Sequence, residues 1–387
     1  MRPARTWPAH DEDAIAAAIR VERERGGSLR AIGAAHSSNE QIGSAHGLLR
    51  MRDYCGLIAV DRERGQATVR AGTPLAELGP ALFEHDLALP NYGDIALQTL
   101  GGAIATGTHG SGETLPNLSQ LMIAAELIDG RGERRRVGGD GDDALPLAAA
   151  QVALGSLGVL TAITIRCPPS FEVERREFAL PTEAALECFD ELAACNRSLD
   201  FYWYPRRDEI KLRVINPPGG GTRVVPGARL LEARGGDGHE LIPVHSGLPY
   251  RFEESEFALP RERGLDTFRA VRRRILQRWR ATVGWRVLYR TVAADSAWLS
   301  PAHARASATI SLHQNASLPW REFFEDLEPV FAEHCGRPHW AKKHGYRASR
   351  LAPLYPHWRD FLRMRERCDP DGVFLNPYLR DLFGVPA

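Results

Sequence analysis

Lysine is scarce in this chain, and neither sign of charge is in excess. Of the 49 basic residues only Lys211, Lys342 and Lys343 are lysines, and 49 acidic residues bring the formal net charge to zero. No global positive field is therefore available to attract nucleic acid or to hold the chain on an anionic membrane. Because arginine carries nearly all of the positive charge, each retained lysine is worth closer inspection.

Long apolar runs and paired cysteines are also lacking. No apolar stretch approaches the ~18 residues that cross a bilayer, so membrane insertion is not expected. A signal peptide needs a continuous apolar core near the amino terminus, and acidic residues 11–13 interrupt this region. We therefore expect a cytoplasmic protein. The six cysteines form no CxxC pair, which favours reduced thiols and predicts no metal site.

Several familiar catalytic motifs are absent. The sequence has no GxxxxGK[ST] phosphate loop, no HExxH zinc helix and no GxSxG nucleophile turn. The nearest approaches to GxGxxG lie in loops with the wrong flanking elements. These absences disfavour a nicotinamide dehydrogenase of the doubly wound type.

The length of 387 residues and the hydrophobic content of 43% predict two or three domains, at roughly 100–200 residues each. Apolar periodicity and turn residues predict helices and strands up to a boundary at Pro168 and Pro169. The predicted helices cover residues 11–25, 74–85 and 142–154, and the predicted strands cover residues 28–32, 57–60, 66–71, 121–129, 133–137 and 159–165. The glycine-dense stretch 101–112 is predicted to be a loop.

After the boundary, separated strands and a few helices predict an α+β unit with a largely antiparallel sheet. The predicted strands are residues 200–204, 210–215, 251–259, 285–292 and 308–313, and the predicted helices are residues 265–279 and 322–334. The remaining carboxy-terminal residues are predicted to form aromatic, proline-rich loops.

Two small-residue loops each contain a histidine, His36 in the first and His109 in the second. Together with residues 155–158, these loops could offer many backbone N–H groups to an elongated, phosphate-bearing ligand. The alternative is that the glycines only make tight turns and that the histidines are hydrogen-bonded loop residues. The residues alone leave both interpretations open.

Three of these segments resemble the flavin-cradling segments of the vanillyl-alcohol oxidase superfamily. They are residues 30–39 (RAIGAAHSSN), 93–112 (GDIALQTLGGAIATGTHGSG) and 155–165 (GSLGVLTAITI). The carboxy-terminal half resembles the aldonolactone oxidase and alditol oxidase branch of that superfamily. The matching stretches there are residues 289–300 (YRTVAADSAWLS), 311–314, 337–342 (RPHWAK) and 369–379 (DPDGVFLNPYL).

The resemblance implies a two-domain, α+β FAD-binding fold of the PCMH type. Residues 1–170 would bind FAD, residues 171–335 would form a substrate domain, and residues 336–387 would return to the FAD domain. The implied reaction is oxidation of a carbinol on an aldonolactone, alditol or modified sugar, with hydride passing to flavin N5 and electrons to O₂, giving H₂O₂. The alternatives are a dehydrogenase that serves a carrier or quinone, and a flavin-binding protein without turnover.

The resemblance also assigns the cofactor residues. His36 would carry the covalent flavin link, His339 would lie near the isoalloxazine, and Ile163 would hold the adenine end through its backbone. Gly93 would leave one edge of the ring open to O₂. The cofactor diphosphate would be wrapped by Ala31, Ile32, Gly33, Ala34, Ala35, His36 and Ser37. The second cofactor loop would be formed by Thr99, Gly102, Thr106, Gly107, Thr108 and His109.

On the substrate side the resemblance places Lys342 near flavin N1 and the substrate oxygen. Arg290 would bind substrate or fix a neighbouring acid, while His313 and Asn315 would line the cavity. Asp94 stands where the branch often has serine. The alternatives are an ion pair for Arg290, a turn cap for Asp94 and a hydrogen-bonded strand histidine for His313.

One position departs from the branch. Many members have an acidic residue two positions before the strand arginine, and this chain has Leu288 there. Loss of that carboxylate removes a partner for substrate hydroxyls, which puts ordinary alditols in doubt and favours a lactone, a modified sugar or a less polar alcohol. Glu254, Glu256 or Asp94 could supply the acid from another element.

Overall fold

The computed structural model describes residues 3–139, 144–243 and 251–386, and its first part contains two sheets. A parallel sheet has the strand order β1-β3-β2, and a five-stranded antiparallel sheet has the order β4-β5-β8-β6-β7. The elements are β1 (Arg5–Pro8), α1 (Glu12–Glu24), β2 (Leu29–Ile32), β3 (Gly47–Arg50), β4 (Leu57–Asp61), β5 (Gln66–Arg70), α2 (Leu75–Phe83), α3 (Leu100–Thr106), β6 (Met122–Ile128), β7 (Arg134–Val137), α4 (Leu147–Ala150) and β8 (Val159–Arg166).

The helix α3 corrects the prediction of a loop over residues 101–112. Leu100, Ala103 and Ile104 are buried, and a Cβ added at Gly101 would lie 3.0 Å from both the Cβ and the carbonyl oxygen of Ala71. The glycine therefore permits close packing of the helix instead of breaking it. Gly107 ends the helix in the left-handed region, with φ of +70°.

The second part is one eight-stranded sheet with the order β12-β9-β11-β10-β14-β15-β13-β16, in which neighbouring strands are antiparallel. This confirms the α+β fold class and the largely antiparallel sheet. The elements are β9 (Glu172–Pro181), α5 (Thr182–Cys195), β10 (Ser198–Tyr204), β11 (Glu209–Asn216), β12 (Arg229–Asp237), α6 (Gly238–Leu241), β13 (Phe252–Pro260), α7 (Gly264–Arg278), β14 (Val287–Val292), β15 (Ser307–Asn315), α8 (Trp320–Glu333) and β16 (Arg337–Pro338).

Two further predictions need correction. The carboxy-terminal residues after 334 were predicted to be loops, but the structure has three helices there: α9 (Ala348–Leu351), α10 (Trp358–Cys368) and α11 (Pro377–Phe383). The helix α10 is rich in arginine, but it has buried apolar residues such as Phe361. Asn376 caps α11, where its side chain accepts a hydrogen bond from the Leu379 N–H. The helix predicted over residues 142–154 is only the short α4, which starts after Pro146; residues 142 and 143 lie outside the described residues.

The two faces of the large sheet differ in chemistry because paired residues on neighbouring strands share a face. One face carries an apolar row across five strands that packs against α7 and α8, where the Phe257 and Phe331 rings are 4.6 Å apart. That row is Leu212, Phe201, Tyr289, Ile310 and Phe257. The opposite face carries polar rows, Arg213–Asp200–Arg290 and Leu288–Ser311–Glu256, with His313 paired to Glu254.

The carboxy-terminal segment returns to the first part of the chain. The Arg30 guanidinium donates to the carbonyl oxygens of Leu154 (2.7 Å) and Phe374 (2.8 Å), and Asn39 donates to the carbonyl oxygen of Trp340 (2.6 Å). These bonds hold the segment beside the first small-residue loop and above the polar face of the sheet. Among the described residues, no helix is both long and apolar enough to cross a bilayer.

Candidate functional site

Two cavities meet where the first part of the chain faces the large sheet. The first contains about 1030 Å³ of atom-free space between the small-residue loops, and the second contains about 740 Å³ above the polar face of the sheet. His36 and Gln98 line both cavities. A single elongated ligand can therefore extend from one cavity into the other past His36.

The first cavity suits a dinucleotide-like cofactor. A Cβ at Gly33 would lie 2.0 Å from Thr99 Oγ1, so the two loops touch at a point where a larger side chain has no room. Leu157 and Leu160 of the segment 155–165 complete the wall, together with Leu127, which lies outside the predicted cofactor segments. Of the predicted cofactor residues, this cavity is lined by Ala31, Ile32, Gly33, Ala34, Ala35, His36, Ser37, Thr99, Gly102 and Thr106.

The remaining predicted cofactor residues lie elsewhere. Gly93, Thr108, His109 and His339 line the second cavity, and Gly107 lines a small adjoining space. Ile163 lies in the middle of β8 between its partners Val69 and Ala125, so this central sheet position does not line the cavity, whereas Leu160 does. The contact of the Ile163 backbone with the adenine end stays a prediction.

The second cavity collects candidate substrate residues from several elements. Arg286, Leu288 and Arg290 alternate along β14 and the residue before it, and the Phe252 and Trp285 rings stack with their centroids 5.4 Å apart. The other lining residues are His36, Gly93, Asp94, Ile95, Gln98, Thr108, His109, Glu254, Glu256, His313, His339, Ala341 and Lys342. The cavity therefore combines paired charges with apolar and aromatic side chains.

Asn315 is the predicted substrate residue that the structure does not bring to this cavity. It stands at the end of β15, where its Oδ1 accepts hydrogen bonds from the backbone N–H of Ser317 (3.0 Å) and from the Ser317 hydroxyl (2.9 Å). The side chain caps the following turn, because the strand ends at this residue.

Asp94 is the centre of a buried charge network. Its carboxylate accepts hydrogen bonds from Arg290, from Arg213 (3.0 Å) and from the Tyr202 hydroxyl, and Arg213 is also paired with Asp200. Burial opposes ionisation, but the Arg290 and Arg213 guanidinium groups hold the pKa of Asp94 well below its usual range. Asp94 is thus a fixed anion, and Arg290 has a neighbouring acid.

A second group links Lys342, Glu254 and His313. The Lys342 ammonium donates to one carboxylate oxygen of Glu254, and the other oxygen lies 3.4 Å from His313 Nε2. His313 Nδ1 lies 3.1 Å from the Arg286 carbonyl oxygen, which can only accept, so Nδ1 carries a proton. Burial opposes the charge on Glu254, yet the Lys342 ammonium lowers the pKa of that carboxyl.

A third group contains His109, Glu256 and His339. His109 Nε2 lies 2.7 Å from Glu256, while its Nδ1 lies 2.9 Å from the Gly110 carbonyl oxygen, so both ring nitrogens face acceptors. His339 Nδ1 accepts from the Ala341 N–H (3.1 Å), and burial lowers the pKa of His339 to about 4. One nitrogen or oxygen atom of each of these three residues lies within 4.8 Å of the others, as in a metal site. However, Nδ1 of neutral His339 accepts a hydrogen bond, so its Nε2 carries the proton and is a poor metal ligand.

His36 presents its ring to the space shared by the two cavities. Desolvation by the surrounding protein and the nearby Lys342 ammonium lower the pKa of His36. The ring is therefore neutral near pH 7 and can act as a nucleophile.

Comparisons with known proteins agree with this geometry. Residues 3–138 match the profile of the FAD binding domain family, and residues 243–382 match that of the D-arabinono-1,4-lactone oxidase family. A cholesterol oxidase from B. sterolicum has the same fold, with a TM-score of 0.84 over 98% of this chain and 94% of that chain at 16% identity. Together with this fold, the two profile matches define an FAD-binding flavoprotein of the vanillyl-alcohol oxidase superfamily.

Two relatives give a narrower placement. An L-gulono-1,4-lactone dehydrogenase from Mycobacterium tuberculosis is 30% identical over 96% of this chain and 94% of its own length. An alditol oxidase from Streptomyces is 32% identical over 90% of this chain and 89% of its own length. The chain belongs to the aldonolactone oxidase and alditol oxidase family, which confirms the resemblance seen in its sequence.

Proposed function

We propose that the chain is an FAD-dependent oxidase that acts on a carbinol of a sugar-like substrate, with a lactone preferred over an open-chain alditol. The observation that carries the proposal is the joining of the two cavities at His36. When bound, FAD supplies the two-electron acceptor for the carbinol hydrogen. The first cavity would hold its nucleotide part, and the second would hold the substrate.

Three polar residues of the second cavity would have different roles in the reaction. Lys342 holds the substrate oxygen and stabilises the negative charge that develops on it. His313 accepts the hydroxyl proton at Nε2, since its Nδ1 already donates to the Arg286 carbonyl oxygen. Asp94, fixed by Arg290, accepts a hydrogen bond from a further substrate hydroxyl.

The preference for a lactone rests on apolar side chains of the cavity. Leu288 and Phe252 cannot form hydrogen bonds with the hydroxyls of an extended polyol, and burying such hydroxyls without partners is costly. A panel of aldonolactones, alditols and simple alcohols, assayed for hydrogen peroxide and for reduction of an artificial acceptor, tests this proposal. A clear preference for alditols would contradict the assignment of substrate.

Covalent attachment of FAD through His36 is a further expectation. Acid-precipitated protein should remain yellow, and a flavin-modified peptide should contain His36. The variant His36→Ala should release its flavin on precipitation, because the only proposed attachment atom is removed. Quantitative release from the unmodified protein would refute the link while leaving noncovalent binding possible.

Transfer of electrons to O₂ rests on Gly93. This residue lines the second cavity, and an added Cβ would make only ordinary contacts, the nearest at 3.4 Å from Thr108 Cγ2. Gly93→Val should narrow the approach of O₂ and slow stopped-flow reoxidation much more than anaerobic reduction by substrate. Sluggish reoxidation of the unmodified protein, with good turnover on an artificial acceptor, would make the chain a dehydrogenase, as its M. tuberculosis relative is named.

A further inference from the structure

Glu254 contacts two proposed catalytic residues at once. Its carboxylate accepts from Lys342 Nζ and lies 3.4 Å from His313 Nε2, and its backbone carbonyl accepts from the Lys343 N–H at 2.9 Å. The side chain of Glu254 is 10% exposed. One residue of β13 therefore ties the lysine segment to the histidine of β15.

These contacts have a direct consequence for charge. The ion pair with Glu254 offsets the cost of placing the Lys342 ammonium in a partly desolvated cavity. The same carboxylate faces the atom at which His313 would take a proton, so it would stabilise the imidazolium formed there. A neutral residue at this position could supply neither effect.

We propose that Glu254 is a positioning residue of substrate oxidation, which fixes Lys342 Nζ and stabilises His313 after proton transfer. The inference rests on the proposed function. In the step concerned, the substrate O–H bond breaks and its proton goes to His313 Nε2. The C–H bond would break, bound FAD would accept the hydrogen with its electron pair, and a carbon–oxygen double bond would form.

The neighbouring pair of residues provides a matched control. Glu253 and Lys343 are each one position away from Glu254 and Lys342, and their charged atoms lie 3.2 Å apart. Neither of these two residues lines the second cavity. The same substitutions at the control pair change the charge by the same amount without touching the proposed site.

The kinetic test is anaerobic stopped-flow reduction with a lactone that bleaches the wild-type flavin. Glu254→Gln should slow reduction about a hundredfold, because small losses of alignment at the reacting atoms have effects of that order. Glu254→Asp should recover part of the rate, and Glu253→Gln should leave it unchanged. In a Lys342→Met background, Glu254→Gln should have a much smaller further effect. Equal rates for Glu254→Gln and wild type would overturn the proposal.

A second readout does not depend on turnover. Reductive ¹³C-methylation labels only three lysine side chains besides the amino terminus, so each NMR signal can be assigned with single variants. The Lys342 signal should move in Glu254→Gln and stay in Glu253→Gln, while the Lys343 signal should do the reverse. An unmoved Lys342 signal overturns the proposal; a moved signal with flavin that no substrate reduces overturns only the proposed function.

Discussion

Replacing Lys342 by methionine should slow reduction of the flavin by substrate about a hundredfold or more, while the flavin stays bound. Methionine keeps much of the side-chain volume but removes the charge that would stabilise the substrate oxygen as it becomes negative. Lys342 lines the second cavity and not the first, so binding of the nucleotide part of the cofactor should be preserved. Anaerobic stopped-flow absorbance measures the reduction rate directly.

The adjacent residue is the control for this prediction. Lys343 is paired with Glu253 and lies 4.7 Å from the centre of the Trp320 ring, away from the cavity. In the Lys343→Met variant, substrate should therefore reduce the flavin at close to the wild-type rate. Equal losses at the two positions would mean that Lys342 has no specific role in the reaction.

Replacing Asp94 by asparagine should destabilise the fold by about 3–5 kcal/mol, the usual cost of removing one partner from a buried ion pair. Asp200 can still neutralise Arg213, but Arg290 would lose the acid to which it donates a hydrogen bond. Thermal unfolding should be measured for the variant and the wild type at equal flavin content. The midpoint temperature should be clearly lower for Asp94→Asn.

A surface carboxylate provides the comparison. Asp360 is 42% exposed and paired with the exposed Arg363, so Asp360→Asn should cost less than about 1 kcal/mol. The stabilisation by Asp94 is also predicted to depend on pH in one direction. Because its folded pKa is depressed, the contribution is present above the unfolded value of about 4 and is lost as pH falls towards the folded value. An Asp94→Asn variant as stable as the wild type would refute this account of the network.

Local sequence signals predicted most strands of the large sheet because their apolar and turn residues follow simple rules. The helix α3 was missed for a physical reason: Gly101 is required by its contact with Ala71, which lies 30 positions earlier and cannot be inferred from local composition. The helices α10 and α11 were both missed. For α11 a signal was available, since Asn376 followed by Pro377 is a typical helix start.

The candidate site was predicted only in part. Motif resemblance indicated His36, Asp94, Arg290, His313 and Lys342, and the structure brings all five to the second cavity. Their pairing could not be predicted, because it depends on strand order: β13 lies beside β15, which places Glu254 against His313. The alternation of Glu254 and Glu256 along β13 indicates that both side chains share one face of the sheet, which agrees with naming them as candidate acids, but it does not identify their partners.

Anaerobic mixing of the flavin-loaded protein with the substrate panel tests the central claim most directly, because it isolates electron transfer from substrate to flavin from every later step. We expect rapid bleaching of the flavin by at least one aldonolactone, slower bleaching by open-chain alditols, and loss of the fast phase in Lys342→Met. Flavin that stays oxidised with every lactone, alditol and alcohol tested would contradict the claim that the second cavity oxidises a sugar-like substrate.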